Sequence, residues 1–323
     1  MTEAAVPPPE EIILYEKDPS TRIATITLNR PDLLNIPTIA ARKRYADLLF
    51  KASIDDDVKV LVVRGVGDHL GTGADLDELM AKQAAGAALR EEFGLDEDDD
   101  VTMPGSRSYR AGASLLHWYG NTRSGCRSLQ DFKKISILEV KGYCYGWHFY
   151  QAADADLVIT SDDALFGHPA FRYVGYAPRM WQWAMMMGLR KFQEMVFTGR
   201  PFTAQQMYDC NFVNSVVARD QLETEVEKYA LSCARTRPTD TVFMQKVFFE
   251  VMKQHQGEYM GSLLSAWLES MGGMLRDDDD GRRATLSQET MDAGLNLAVK
   301  DNDSRFPPDW RLSRSGRRSP ETD

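Results

Sequence analysis

Val140-Lys141-Gly142-Tyr143-Cys144-Tyr145-Gly146, followed by Ala153-Asp154-Ala155-Asp156 and Ala164-Leu165-Phe166-Gly167, is the stretch on which the fold turns. Ile135 to Val140 and Ala155 to Thr160 are apolar runs of strand length, with a helical stretch between them. Upstream, Ile12 to Tyr15 and Ile23 to Leu28 read as strands around a turn at Asp18-Pro19-Ser20. Residues 38 to 53 carry apolar positions at helical spacing, and Val58 to Gly65 is a short buried strand. A helix is expected from Asp75 to Ala85, an acidic loop over 92–106, and another helix over roughly 109–132. Downstream the pattern turns helical: 180–195, 203–209, 219–235, 239–272 with a break near Gly257, and 285–299. Mixed α/β followed by all-α suggests a catalytic core with a helical appendage. The expected division is a disordered leader over 1–10, a core over 11–218, a helical region over 219–305 and a tail over 306–323.

The 323 residues include 38 basic and 48 acidic side chains, a net charge of -10, which argues against a nucleic-acid partner. The acidic runs Asp96 to Asp100 and Asp277 to Asp280 read as solvated loops, since neither has the spacing of a calcium loop. Cys126, Cys144, Cys210 and Cys233 form no CxxC pair, and the five histidines are scattered, so no metal site is expected. MTEAAVPPPEE at the N-terminus is unlike a signal peptide, and no apolar run reaches the length of a membrane span. A cytoplasmic location without membrane contact is the expectation.

Four segments in order resemble the crotonase (enoyl-CoA hydratase/isomerase) superfamily. They are Ile26 to Asn35 with its RP…N pattern, Gly71-Thr72-Gly73-Ala74-Asp75-Leu76-Asp77-Glu78-Leu79, the stretch from Val140 to Gly167, and Glu194 to Gly199 with Ala204 and Phe212 to Val217. The resemblance implies a spiral of ββα units in two roughly perpendicular sheets, with a C-terminal α-helical oligomerisation region. It also implies a homotrimer or hexamer, and an acyl-CoA substrate whose coenzyme A is the only cofactor-like group.

In that family two backbone N–H groups hold an oxyanion derived from an acyl-thioester carbonyl, each contributing on the order of 3 kcal/mol. By position the donors are Ala74 and Trp147, the latter in Gly146-Trp147-His148 where the family has three glycines. The Trp147 indole has two places open to it: lining the pocket or blocking it. Gly73, Asp75, Leu76, Ala170 and Lys246 fall at substrate-binding positions.

The two hydratase glutamates are replaced by Tyr150 and Ala170, so the pair that activates water is missing. Tyr150, His168 and His148 are the candidate proton carriers, each with packing as its alternative. His117, in a segment that often forms a lid or pocket wall in the family, reads as helix packing before function. Arg172 and Arg179 flank the pocket loop, with surface ion pairing as their expected use. The preferred reading is a divergent acyl-CoA hydratase, isomerase or lyase working through an enolate on a bulky or cyclic substrate. The alternatives are a C–C bond hydrolase acting on a cyclic β-diketone without CoA, and a catalytically silent binding or assembly subunit.

Overall fold

The computed structural model describes residues 6–73, 90, 95, 98–102, 123–173, 175–270 and 295–317. A helical turn, α1 (Pro9–Ile12), leads into the hairpin of β1 (Ile13–Asp18) and β2 (Ile23–Leu28). Helix α2 (Ile39–Ile54) is capped by Thr38, whose side chain accepts the Ala41 N–H, and returns the chain to β3 (Val60–Gly65), parallel to β2. After β4 (Ile135–Val140) come β5 (Tyr143–Tyr145), α3 (Trp147–Asp154), β6 (Leu157–Ser161) and β7 (Leu165–Gly167).

Helices α4 (Ala170–Tyr173), α5 (Met180–Met187) and α6 (Leu189–Thr198) precede β8 (Phe202–Thr203), α7 (Ala204–Asp209) and β9 (Ser215–Val217). The C-terminal part holds α8 (Leu222–Arg235), α9 (Thr239–His255), α10 (Glu258–Ser270), α11 (Leu295–Ser304) and α12 (Arg314–Arg317).

The first sheet runs β1-β2-β3-β4-β6-β9 and the second β5-β7-β8. β3 and β4 are buried along most of their length, as parallel strands covered on both faces must be. One face, with Ile26, Leu61, Val63, Leu138 and Val158, joins the main core beneath α2 and α3. The other face, with Val60, Val62, Ile137 and Ile159, is covered by Leu222, Val226 and Ala230 of α8. This is the crotonase-type α/β fold with C-terminal helices.

Three readings change. The expected helix over 109–132 lies outside the described residues up to 122, and 123–132 is a run of turns. There the Ser128 hydroxyl takes the Gly125 N–H and the Ser124 hydroxyl takes the Cys126 N–H, competing with helical hydrogen bonds. The helix expected over 180–195 is split at Gly188, whose φ of 78° ends α5 before α6 begins. Arg172 and Arg179 are buried rather than on the surface. Arg172 donates to Asp303 at 2.7 Å and to the Trp310 carbonyl at 2.7 Å, so the segment after residue 305 packs on the core. Leu312 and Arg314 bind there too: the Leu312 carbonyl accepts from the Tyr145 hydroxyl, and the Arg314 N–H donates to the Tyr143 hydroxyl.

Candidate active site

The site is built where the segment before Ala74 meets the start of α3. Gly71 extends the second sheet: its N–H donates to the Tyr143 carbonyl at 2.8 Å and its carbonyl accepts from Tyr145 at 3.0 Å. β5 then turns at Gly146 (φ 58°) into α3. A side chain on Gly146 would put a Cβ 2.8 Å from the Gly73 Cα, so only glycine allows this approach. One on Gly73 would lie 4.0 Å from the Trp147 nitrogen. The two segments that carry the expected oxyanion donors are therefore neighbours. Ala74, Asp75, Leu76 and His117 themselves lie outside the described residues.

The Trp147 N–H opens α3, one of the terminal donors that a helix leaves without an intrahelical acceptor. Its side chain turns into the core. The indole Nε1 donates to the Gly125 carbonyl at 2.8 Å, and the ring packs edge-on against Tyr45 with centroids 5.1 Å apart. Bulk at this position is thus accommodated behind the helix, and the side chain is held away from Gly73 by the 125 turn.

One helical turn further on, the Tyr150 hydroxyl lies 3.0 Å from His168 Nε2, and both residues are buried. His168 Nδ1 accepts the Ala170 N–H at 3.2 Å. A neutral imidazole with Nδ1 accepting carries its hydrogen on Nε2, so His168 donates to the phenol oxygen. The Tyr150 hydrogen then points to a group other than His168. Burial pushes the His168 pKa down to about 3, so it stays neutral near pH 7. Trp183 backs the pair, with ring centroids 5.6 Å from Tyr150 and 5.5 Å from His168. Ala170 thus meets His168 through its backbone.

His148 is not part of this pair. Its ring is fully buried; Nδ1 accepts the Gly73 N–H at 3.1 Å and Nε2 lies 3.0 Å from the Asn35 carbonyl oxygen. Lys246 grips Asp156, at 2.6 and 2.7 Å from the two carboxylate oxygens. Asp156 in turn accepts from the Ser136 N–H and hydroxyl, which ties α9 to the β4–β6 edge.

Beneath α3 lies a buried ion network. Asp154 binds Arg179, and Arg179 reaches Glu258 at 3.2 Å. Glu258 also takes both guanidinium nitrogens of Arg127 at 2.8 Å each. Despite the cost of its burial, these guanidiniums and the Ser262 hydroxyl hold the Glu258 carboxyl down to about 2. Sequence reasoning gave no role to Asn35, Gly125 or Glu258. Asn35 stood within the RP…N pattern, but the other two leave no sequence signal apart from their partners.

Residues 116–262 match the enoyl-CoA hydratase/isomerase family. A mevalonyl-coenzyme A hydratase of Aspergillus fumigatus is 26% identical over 92% of this chain and 94% of its own length. A hydroxycinnamoyl-CoA hydratase-lyase of Pseudomonas fluorescens is 26% identical over 82% of this chain and 88% of its own. Among solved structures, a probable enoyl-CoA hydratase from Mycobacterium thermoresistibile superposes with a TM-score of 0.66 at 26% identity, covering 80% of this chain and 94% of that one. With the two sheets, the adjoining glycine turns and the C-terminal helices in place, these likenesses support membership of the crotonase (enoyl-CoA hydratase/isomerase) superfamily.

Proposed function

We propose that this protein acts on an acyl-CoA thioester through an enolate-like oxyanion, with Tyr150 as the proton donor. The observation that carries the reading is the buried Tyr150–His168 contact of 3.0 Å one turn from the N-terminus of α3. The thioester oxygen would lie between the Ala74 and Trp147 N–H groups. As the enolate collapses, the phenol O–H bond breaks, a C–H bond forms at the substrate carbon, and the charge moves to the phenolate oxygen. The His168 Nε2–H, already aimed at that oxygen, stabilises it there without moving a proton itself. His168 therefore serves as an orienting donor rather than a base.

Tyr150 and Ala170 in the glutamate positions leave no carboxylate there to activate water, so hydration of a simple enoyl thioester is not expected. The relatives named for mevalonyl-CoA and hydroxycinnamoyl-CoA support a CoA thioester, and the second supports a bulky acyl group. One observation favours keeping the CoA-free diketone reading as an alternative: Lys246, assigned to CoA by resemblance, is committed to Asp156. A homotrimer or hexamer is part of the proposal. Phe243, Met244, Val247, Phe248, Val251 and Met252 form an exposed apolar stripe at helical spacing on α9.

A thermal-shift panel of CoA thioesters and free cyclic ketones, with a crotonyl-CoA hydration assay, tests the reading. Stabilisation by bulky acyl-CoA esters without crotonyl-CoA hydration is expected. Stabilisation by free cyclic diketones alone would move the function to C–C bond hydrolysis. Hydration of crotonyl-CoA at an ordinary hydratase rate would overturn the role given to Tyr150. A response to nothing in the panel would favour a silent subunit.

A further inference from the structure

We propose that His148 is a positioning residue: an imidazole strut, hydrogen-bonded at both ring nitrogens, that sets the spacing between the 71–73 segment and the N-terminus of α3. The inference rests on the oxyanion reading above and deepens it. Pairing of the second sheet explains why a strut is needed. Gly71 is bonded on both sides of its residue to β5, but β5 ends at Tyr145 and the chain turns away at Gly146. The Gly73 N–H makes no ladder bond to β5, although the Tyr145 carbonyl lies close by. His148 Nδ1 supplies the acceptor, at 3.1 Å.

The other ring nitrogen completes the tie. With Nδ1 accepting, the hydrogen is on Nε2 and is donated to the Asn35 carbonyl at 3.0 Å. Asn35 is itself fixed, since its side chain donates to the Val66 and His69 carbonyls and accepts the Arg30 N–H. One imidazole in one tautomer thus joins three backbone segments: 35, 73 and the first turn of α3. A second proton on Nδ1 would face the Gly73 N–H, and burial holds the pKa down to about 3 even though the Asn35 and Tyr145 carbonyls favour the charged ring.

Gly71 is the complement of this ring. A Cβ there would stand 2.1 Å from His148 Nε2 and 2.3 Å from Cε1. The ring occupies the place a side chain at 71 would need, so the two residues have to be chosen together. Fixing Gly73 fixes the residue whose following peptide bond carries the Ala74 N–H. Trp147, the neighbour of His148, carries the other donor. A shift of the imidazole would change the separation of the two donors while leaving the Tyr150–His168 pair in place.

The test uses acetoacetyl-CoA, a β-ketoacyl thioester whose enolate is detected by its near-ultraviolet absorption. The whole protein is compared with His148→Asn, which keeps an acceptor near the Nδ1 position, and His148→Gln, which carries its polar atoms one bond too far. Binding to the unaltered protein should raise the enolate fraction. His148→Gln should lower the bound enolate equilibrium constant by about tenfold or more, while His148→Asn stays within about threefold and butyryl-CoA affinity is nearly unchanged in both.

Equal enolate fractions in all three folded proteins would overturn the strut and leave the oxyanion reading standing. Absence of bound enolate in the unaltered protein would sink the oxyanion reading and the strut with it. If His148→Gln does not fold, nitrogen-15 NMR of the unaltered protein decides: one fixed Nε2–H tautomer from about pH 5 to 8 is expected, and a ring that titrates there overturns the inference.

Discussion

Tyr150, His168 and His148 are each readable as chemically active residues from the motifs that surround them, but only contact separates their parts. Tyr150 and His168 meet because β7 lies beside β5 and so brings the 168 turn against α3. His148, two residues before Tyr150, faces the opposite way and binds only backbone. The direction of the Trp147 indole was illegible for a related reason: its partner, Gly125, lies in a turn with no pattern of its own.

The two histidines also make stability depend on pH. Burial pushes each from the usual value near 6.5 to about 3. The unfolded chain therefore takes up protons near pH 6.5 that the native protein refuses. Their contribution is complete above that pH and is lost as pH falls toward 3, at up to about 1.4 kcal/mol per pH unit for each histidine. His69, half-buried and shifted downward by desolvation, acts in the same direction. Urea midpoints should fall clearly between about pH 7 and pH 5, above the range in which Glu258 titrates. A midpoint constant across that window would mean that these rings are hydrated in the native protein.

The elements that sequence periodicity exposes are the long ones. α2, the five longer strands of the first sheet (β1 to β4 and β6) and the α9–α10 break at Gly257 follow from apolar spacing and one glycine. The second sheet was hidden because β5 and β7 have three residues each and β8 two, too few to show alternation. What locks the C-terminal helices to the site was hidden as well. Gly261 of α10 lies under Trp181 of α5, where a Cβ would come within 1.9 Å of the indole. Glu258, at the start of α10, neutralises Arg127 and Arg179, and Arg179 holds Asp154 at the end of α3. Glu258→Ala would leave two guanidinium groups buried without their shared carboxylate. A loss of about 3–5 kcal/mol in denaturant unfolding is expected, because breaking a buried pair from one side leaves uncompensated charge. A change below about 1 kcal/mol would mean that water replaces the carboxylate and that α10 is only loosely coupled to α3.

Across the whole molecule, the apolar surface is unevenly distributed. The next helix, α10, also carries exposed apolar residues, Met260 at 71% and Leu264 at 50%. So many exposed apolar residues on two consecutive helices form more surface than a monomer ordinarily leaves in water. Burial against further copies of the chain, as in the proposed trimer or hexamer, would cover them. Light scattering at micromolar protein should give the mass of three or six chains, and replacing Phe248 and Val251 by aspartate should release smaller species. A monomer at that concentration would leave the stripe unexplained and would count against the trimeric or hexameric reading. No helix among the described residues is long and apolar enough to cross a membrane, so these apolar residues do not form a membrane-spanning helix.

Proton donation by Tyr150 is tested by Tyr150→Phe on whichever CoA thioester the unaltered protein turns over. The change removes one hydroxyl and keeps the ring that packs on His168 and Trp183. The loss should therefore appear in kcat, by about 100- to 10,000-fold, with binding nearly intact, since the bond to the substrate strengthens only as charge develops. His168→Leu should fall short of that loss, and the double variant should be little worse than Tyr150→Phe alone. Nearly full turnover by Tyr150→Phe would contradict the proposal and leave the tyrosine as packing beneath the site.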